Sequence, residues 1–190
     1  GLRLNGALSI AETKGRWQEL QRQATTAQLY DVDVRILDKN QIKKDYPIIN
    51  TDEVIGGILM PGDGAADPSG VTHMLAKGAR MEGAQIFEKS PVEEILTKDG
   101  KISGVRVNGQ TINCEYIVLA SGMWSRQIAE KVGVSVPLYP AEHFYIITEP
   151  IENLSKNLPV IRDFDNSTYI KEDAGKILVG IFEGKSIPAF

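Results

Sequence analysis

The chain has 190 residues, enough for one large domain or two small ones. Its composition, 42% hydrophobic and 24% charged with a formal net charge of -4, excludes long disorder and gives no reason to expect nucleic acid as a partner. The one cysteine, Cys114, cannot close an internal disulfide and reads as a reduced core thiol, and no run approaches transmembrane length.

Taken in order, Ala7-Leu8-Ser9-Ile10 reads as a strand after a turn-like Asn5-Gly6. Arg16 to Tyr30 is helical, because Trp17, Leu20, Ala24 and Ala27 recur at spacings of three and four. Val32 to Leu37 is a short strand. Asp38 then caps a helix through Lys44, which Pro47 forbids from continuing. Trp17 and Tyr46 are expected to pack in the core.

Glu53 to Met60 is the next strand, and Gly56-Gly57 marks a bulge or a close backbone approach. Pro61 to Pro68 contains G-x-G-x-x followed by Asp67, so it is not the dinucleotide fingerprint. It is a tight turn that leads to Asp67 as N-cap and Pro68 as the first residue of a helix running to Glu82. Val71, Met74, Leu75 and Ala79 are the apolar face of that helix, with His73 beside it as a packed or surface histidine.

Gln85-Ile86-Phe87 is expected to start a strand. Val92 to Thr97, Ile102 to Val107 and Gln110 to Asn113 are three short strands joined at Asp99-Gly100 and Asn108-Gly109, pairs that favour hairpin turns of positive φ. They form an antiparallel meander. Ile117-Val118-Leu119-Ala120 is an apolar run of the kind buried on both faces of a parallel sheet. It turns on Ser121-Gly122 into a helix carrying Ile128, Ala129 and Val132 and stopping at Gly133. Such a turn brings bare N–H groups to the carboxyl end of a strand, where dinucleotides bind in open α/β sheets.

After Gly133 the pattern becomes antiparallel, with Val136–Thr148 mostly strand, at Leu138–Pro140 and Phe144–Thr148, and further strands at 160–162, 168–171 and 176–182. Together with residues 7–10 and 55–60 these can form one sheet from discontinuous segments. The expected fold is mixed α+β and α/β with two lobes. One lobe, residues 67–133, holds parallel strands and the meander; the other, residues 1–66 and 134–190, is mainly antiparallel.

Several stretches resemble the FAD-dependent amine oxidoreductases of the D-amino-acid-oxidase superfamily, in its dimethylglycine and sarcosine dehydrogenase branch. They are residues 5–11, 59–64 with Asp67-Pro68, 76–80, Ala120-Ser121-Gly122-Met123-Trp124-Ser125, Ala141-Glu142-His143-Phe144-Tyr145 and Val179-Gly180-Ile181-Phe182-Glu183. The family's opening G-x-G-x-x-G unit has no counterpart in these residues, so the chain is expected to be an internal piece of a longer protein and to hold no FAD by itself.

The resemblance implies an enzyme that oxidatively demethylates N-methylated glycines by hydride transfer to FAD. Residues 67–133 are then a partial FAD-binding lobe and the remainder a substrate-binding lobe. Val92, Ser121, Gly122 and Trp124 are the implied cofactor-binding residues. His143 and Tyr169 are the implied catalytic residues, with Gly180 and Arg162 at the substrate.

Chemistry agrees for His143, whose unperturbed pKa lies near neutrality; its alternative is a strand-end histidine bonded to the backbone. Tyr169 can bond a substrate carboxylate or simply pack. Gly180 leaves room for substrate, and Arg162 can pair with a carboxylate or make a surface ion pair. No spacing suggests a metal site. Partners are a small N-methylated amino acid and the rest of the parent chain, with neither nucleic acid nor membrane. The expected location is cytoplasmic, or the mitochondrial matrix in a eukaryote. Competing readings are oxidation of another amine, amino acid or glycerol phosphate, and a non-catalytic binding module.

Overall fold

The computed structural model describes residues 1–190. In chain order the elements are β1 Leu2–Arg3, β2 Ala7–Ala11, α1 Lys14–Gln28, β3 Arg35–Asp38, α2 Lys39–Asp45, β4 Gly56–Met60, β5 Ala65–Ala66, α3 Pro68–Met81, β6 Val92–Lys98, β7 Lys101–Val107 and β8 Gln110–Asn113. A 3-10 turn at Gly122–Trp124 then leads into α4 Ser125–Glu130, and the chain ends with β9 Phe144–Ile147, β10 Val160–Asp163, β11 Thr168–Asp173 and β12 Lys176–Ile181. Two compact units result: Gly1–Leu75 with His143–Ser186, and Ala76–Glu142 with Ile187–Phe190.

The first unit is built on a seven-stranded sheet of order β3-β4-β2-β10-β11-β12-β9. Strands from both ends of the chain share it, the arrangement the sequence allows. Only β2 and β10 run parallel, with Leu8 opposite Ile161 and Ser9 opposite Arg162. All five residues of β2 are buried because helices cover both faces there. On one face α1 brings Leu20 and Ala24 against Ala11 and Ile58. On the other, Ile42 of α2 and Tyr46 join Leu8, Ile10, Leu37, Val54, Leu158 and Ile161. Each fully buried Leu or Ile side chain contributes about 1.5–3 kcal/mol.

Local signals act as the sequence predicts. Thr13 accepts from the Arg16 N–H to cap α1, and Asp38 with Gln41 forms a capping box on α2. At Gly57 an added Cβ would stand 2.7 Å from the Ser9 carbonyl, and at Gly56 it would meet the Trp17 ring at 2.8 Å. Both glycines are close approaches, and Trp17 packs against the core edge.

The second unit carries the meander β6-β7-β8. Its two turns have Asp99 and Gly100 at φ 51° and 74°, and Asn108 and Gly109 at 49° and 72°, the paired left-handed geometry those sequences favour.

Several expectations fail. Ile117–Ala120 is not a strand, and Val118 within it and Tyr116 before it are exposed. Gln85–Phe87 and Leu138–Pro140 are not strands either. An apolar β-branched run forms a strand only where another strand receives its N–H and C=O groups, and none pairs with these segments. The one parallel pair, β2 with β10, lies in the first unit. Lastly, α3 is capped by Asp67, which accepts from the Ser69 and Gly70 N–H groups, yet no residue of it is buried and Met74 and Leu75 are exposed. An amphipathic pattern specifies an apolar face; burial also needs a surface to receive it. Cys114 is only partly buried.

Candidate functional site: the open half of the seven-stranded sheet

Directly paired residues on neighbouring strands share one face of a sheet. Arg162 on β10 lies opposite Tyr169 on β11, Tyr169 opposite Gly180 on β12, and Gly180 opposite Tyr145 on β9. Ser9 extends this row to β2. The row is on the face that α1 covers further along, since Ser9 is also opposite Ile58.

The sequence expects Gly180 to leave open space for substrate. The structure corrects this: a Cβ at residue 180 would collide with Cε1, Cζ and Oη of Tyr169. The phenol ring lies over the glycine, the packing by which an aromatic covers bare strand backbone. Gly180 is thus a seat for Tyr169.

His143 stands one residue before β9 and Phe182 one residue after β12. Their rings meet edge to face at 5.0 Å, and Phe182 also touches Tyr169 with ring centres 5.6 Å apart. His143 Nδ1 is 2.9 Å from Glu183 Oε2. The alternative of a histidine bonded to the backbone therefore does not hold. The Glu183 carboxyl is held below the usual carboxylate range, first by its own backbone N–H, then by His143, with a smaller contribution from the Phe144 N–H.

Beside these rings lies a cleft of about 660 Å³ lined by Val160, Arg162, Phe164, Ser167, Tyr169 and Phe182, among others. Tyr169 and Arg162 thus face it directly. His143 is not in its wall and meets it through Phe182.

Arg162 donates from Nη2 to Asp63 Oδ2 at 3.1 Å. Asp63 sits in the turn after β4, where its Oδ1 accepts from the Gly64 N–H at 2.7 Å and its carbonyl from the Gly6 N–H at 2.8 Å. The backbone of Arg3 fills the space above Gly64, so a side chain there would collide with the Arg3 carbonyl. The glycine-rich turn read in the sequence is therefore a closed bracket that holds Asp63 on Arg162, with no open cradle for phosphates.

The expected cofactor residues lie in the second unit. Val92 begins β6 opposite Val107 and is half exposed. Gly122 has φ +54° and nothing within 4 Å of a Cβ built on it. Ser121 makes no capping hydrogen bond, and Trp124 is mostly exposed. These positions are open.

Sequence reasoning missed Asp63, Phe182 and Glu183. Phe182 was detectable, since alternation puts it on the face of Gly180. Asp63 and Glu183 pair across 99 and 40 residues, and no local signal marks them.

A cleft of this size, mixing apolar walls with a few polar groups, is of the class that holds small molecules. The chain belongs to the FAD dependent oxidoreductase family, whose model matches residues 1–188. It is 38% identical over 183 residues to a 4-methylaminobutanoate oxidase (formaldehyde-forming) of Paenarthrobacter nicotinovorans, covering 96% of this chain and 22% of that one. It is 33% identical over 188 residues to human mitochondrial sarcosine dehydrogenase, covering 96% and 20%. A mouse mitochondrial pyruvate dehydrogenase phosphatase regulatory subunit is 30% identical over 97% of this chain and 21% of its own. Among solved structures, L-proline dehydrogenase from P. horikoshii superposes with a TM-score of 0.89 at 26% identity, over 100% of this chain and 51% of that one. The chain thus spans about a fifth of the length of these curated relatives. No helix is long and apolar enough to cross a membrane.

Proposed function

We propose that this chain is the substrate-binding part, with a portion of the FAD-binding part, of an oxidoreductase that demethylates small N-methylated amino acids of the sarcosine or dimethylglycine type. The observation that carries the reading is the row Arg162–Tyr169–Gly180 beside the cleft, with His143 joined to it through Phe182. A fixed guanidinium suits a carboxylate, a phenol suits a polar substrate atom, and an imidazole suits an amine proton. The methylaminobutanoate relative is formaldehyde-forming, which supports demethylation.

In this reading the unit around β2 and β10–β12 is the substrate lobe, with residues 1–66 and 134–190 as its extent, and residues 67–133 are the FAD side. Val92, Ser121, Gly122 and Trp124 lie along the cofactor. FAD, when bound, supplies the acceptor for the hydride leaving the substrate carbon. Arg162 holds the substrate carboxylate, Tyr169 orients the substrate over the sheet, and His143 takes the proton that an ammonium must lose before oxidation. The rest of the parent chain completes the cofactor site. The parent is placed in the cytoplasm, or in the mitochondrial matrix in a eukaryote.

The test is anaerobic addition of sarcosine, dimethylglycine or 4-methylaminobutanoate to the flavin-loaded full-length protein. Bleaching of the flavin with formaldehyde release is expected. His143→Ala should lower turnover by roughly 10²–10⁴-fold, the usual worth of an acid–base group. Bleaching by a non-methylated amine without formaldehyde moves the substrate class. No bleaching by any amine favours a second reading, a non-catalytic module, which the likeness to a regulatory subunit supports.

A further inference from the structure

We infer that Glu183 is a positioning residue that holds His143 as the Nδ1–H tautomer, leaving Nε2 as the nitrogen that takes the substrate's proton. This rests on the proposed proton role of His143 and names the group that makes it directional.

The geometry is specific. Nδ1 of His143 lies 2.9 Å from Glu183 Oε2. An ionised carboxylate can only accept, so the proton in that bond belongs to Nδ1. A neutral imidazole carries one N–H, and Nε2 is then a bare lone pair. Nε2 has no partner within the chain, Nδ1 making the ring's one hydrogen bond.

Glu183 is itself fixed. Its carbonyl accepts from the Ser186 hydroxyl at 3.1 Å, and its carboxyl is held below the usual carboxylate range. The preceding residue, Phe182, donates its N–H to the Ser167 carbonyl at 2.9 Å, which anchors the segment to β11. The Phe182 ring meets the imidazole at 69°, so the ring plane is held as well as the tautomer. When a substrate ammonium gives its proton to Nε2, His143 becomes an imidazolium and Glu183 stays an anion, so the positive charge is balanced at the far nitrogen and no proton passes on to the carboxylate.

The chain has two histidines, which supplies an internal reference. His73 lies on the exposed face of α3 with no hydrogen-bond partner. Long-range ¹H–¹⁵N correlation spectra of the 190-residue chain, taken where both rings are neutral and assigned with His73→Gln, should show His143 protonated on Nδ1 and His73 in the Nε2–H form usual in water. Glu183→Ala should bring His143 to the His73 pattern. Glu183→Gln, whose amide oxygen still accepts, should keep the Nδ1–H form. In the flavin-loaded full-length protein, Glu183→Ala should lower kcat at least about tenfold, part of the roughly 10²–10⁴-fold an acid–base group contributes, with KM nearly unchanged and with partial recovery in Glu183→Gln.

A wild-type His143 with the His73 pattern overturns the inference. So does a Glu183→Ala enzyme with unchanged kcat when His143→Ala has lost turnover; the proposed function then stands without it. If His143→Ala itself turns over normally, the functional reading falls and this role of Glu183 falls with it.

Discussion

The ring of Tyr169 lies over Gly180 on the adjacent strand, in the space a side chain at residue 180 would need. The pair couples packing and candidate function in one place. Gly180→Ala must push the ring off the sheet, and an overpacked site of this kind costs about 1–3 kcal/mol. Thermal or urea denaturation of the chain should show that loss. The same substitution in a Tyr169→Ala background should cost much less, since the colliding ring is gone, and a double-mutant cycle should return a coupling of at least about 0.5 kcal/mol. Additive losses would show that the ring does not need the glycine.

Tyr169→Phe should separate packing from binding. The ring keeps its seat and its contact with Phe182, so stability should change little. In the flavin-loaded protein KM should rise more than kcat falls, because only the hydroxyl is lost. A kcat loss equal to that of His143→Ala would give the phenol a share in the chemistry.

Arg162 is aimed by Asp63, and both side chains are partly exposed. Asp63→Asn keeps a bond acceptor and removes the charge; Arg162→Lys keeps the charge and removes the fork. If the guanidinium holds a substrate carboxylate, Arg162→Lys should raise KM about tenfold, the equivalent of ~1.4 kcal/mol, while a substrate amide should be affected far less. Equal effects on acid and amide would remove Arg162 from the substrate.

Glu172 is a stability switch remote from the cleft. Burial pushes its carboxyl up, but the Gly175 N–H, the hydrogen bond and charge of Arg3, and the charge of Lys156 outweigh burial and leave it below its ordinary value of 4.5. A depressed folded value means stability that is present above about pH 4.5 and lost as pH falls through the lower folded value. Glu172→Gln should therefore be less stable than wild type at neutral pH, and the gap should narrow on acidification. Denaturation curves at several pH values check the sign; a gap that widens towards acid would contradict it.

The chain purified by itself should carry no stoichiometric flavin. Its one glycine-rich turn is closed by the Arg3 backbone, and its Ser121–Trp124 turn leads into a helix of only six residues. A flavin absorbance band at one equivalent per chain would show that these open positions suffice.

Much of this fold was legible in local signals. The caps of α1 and α2, the two hairpin turns of the meander and the close approaches at Gly56 and Gly57 each follow from a few adjacent residues. That segments from both ends of the chain can share one sheet was an expectation from their strand patterns, and strand order made it so. The errors share a cause. Ile117–Ala120 and the apolar face of α3 have the right composition for burial, and composition does not say whether a partner surface is present.

By itself, then, the sequence determined where the helices cap, where the hairpins turn and most of the segments that extend, because φ preferences, caps and periodicity act over a few residues. It also carried the residue types of the site: His143, Tyr169, Arg162 and Gly180. Tertiary structure decided what those residues do to one another. Register placed Tyr169 on Gly180 and turned a presumed gap into a seat. Chain reversal brought Glu183 to His143 and Asp63 to Arg162. Such pairings depend on strand order and on turns far away in the chain, so no window of neighbouring residues contains them.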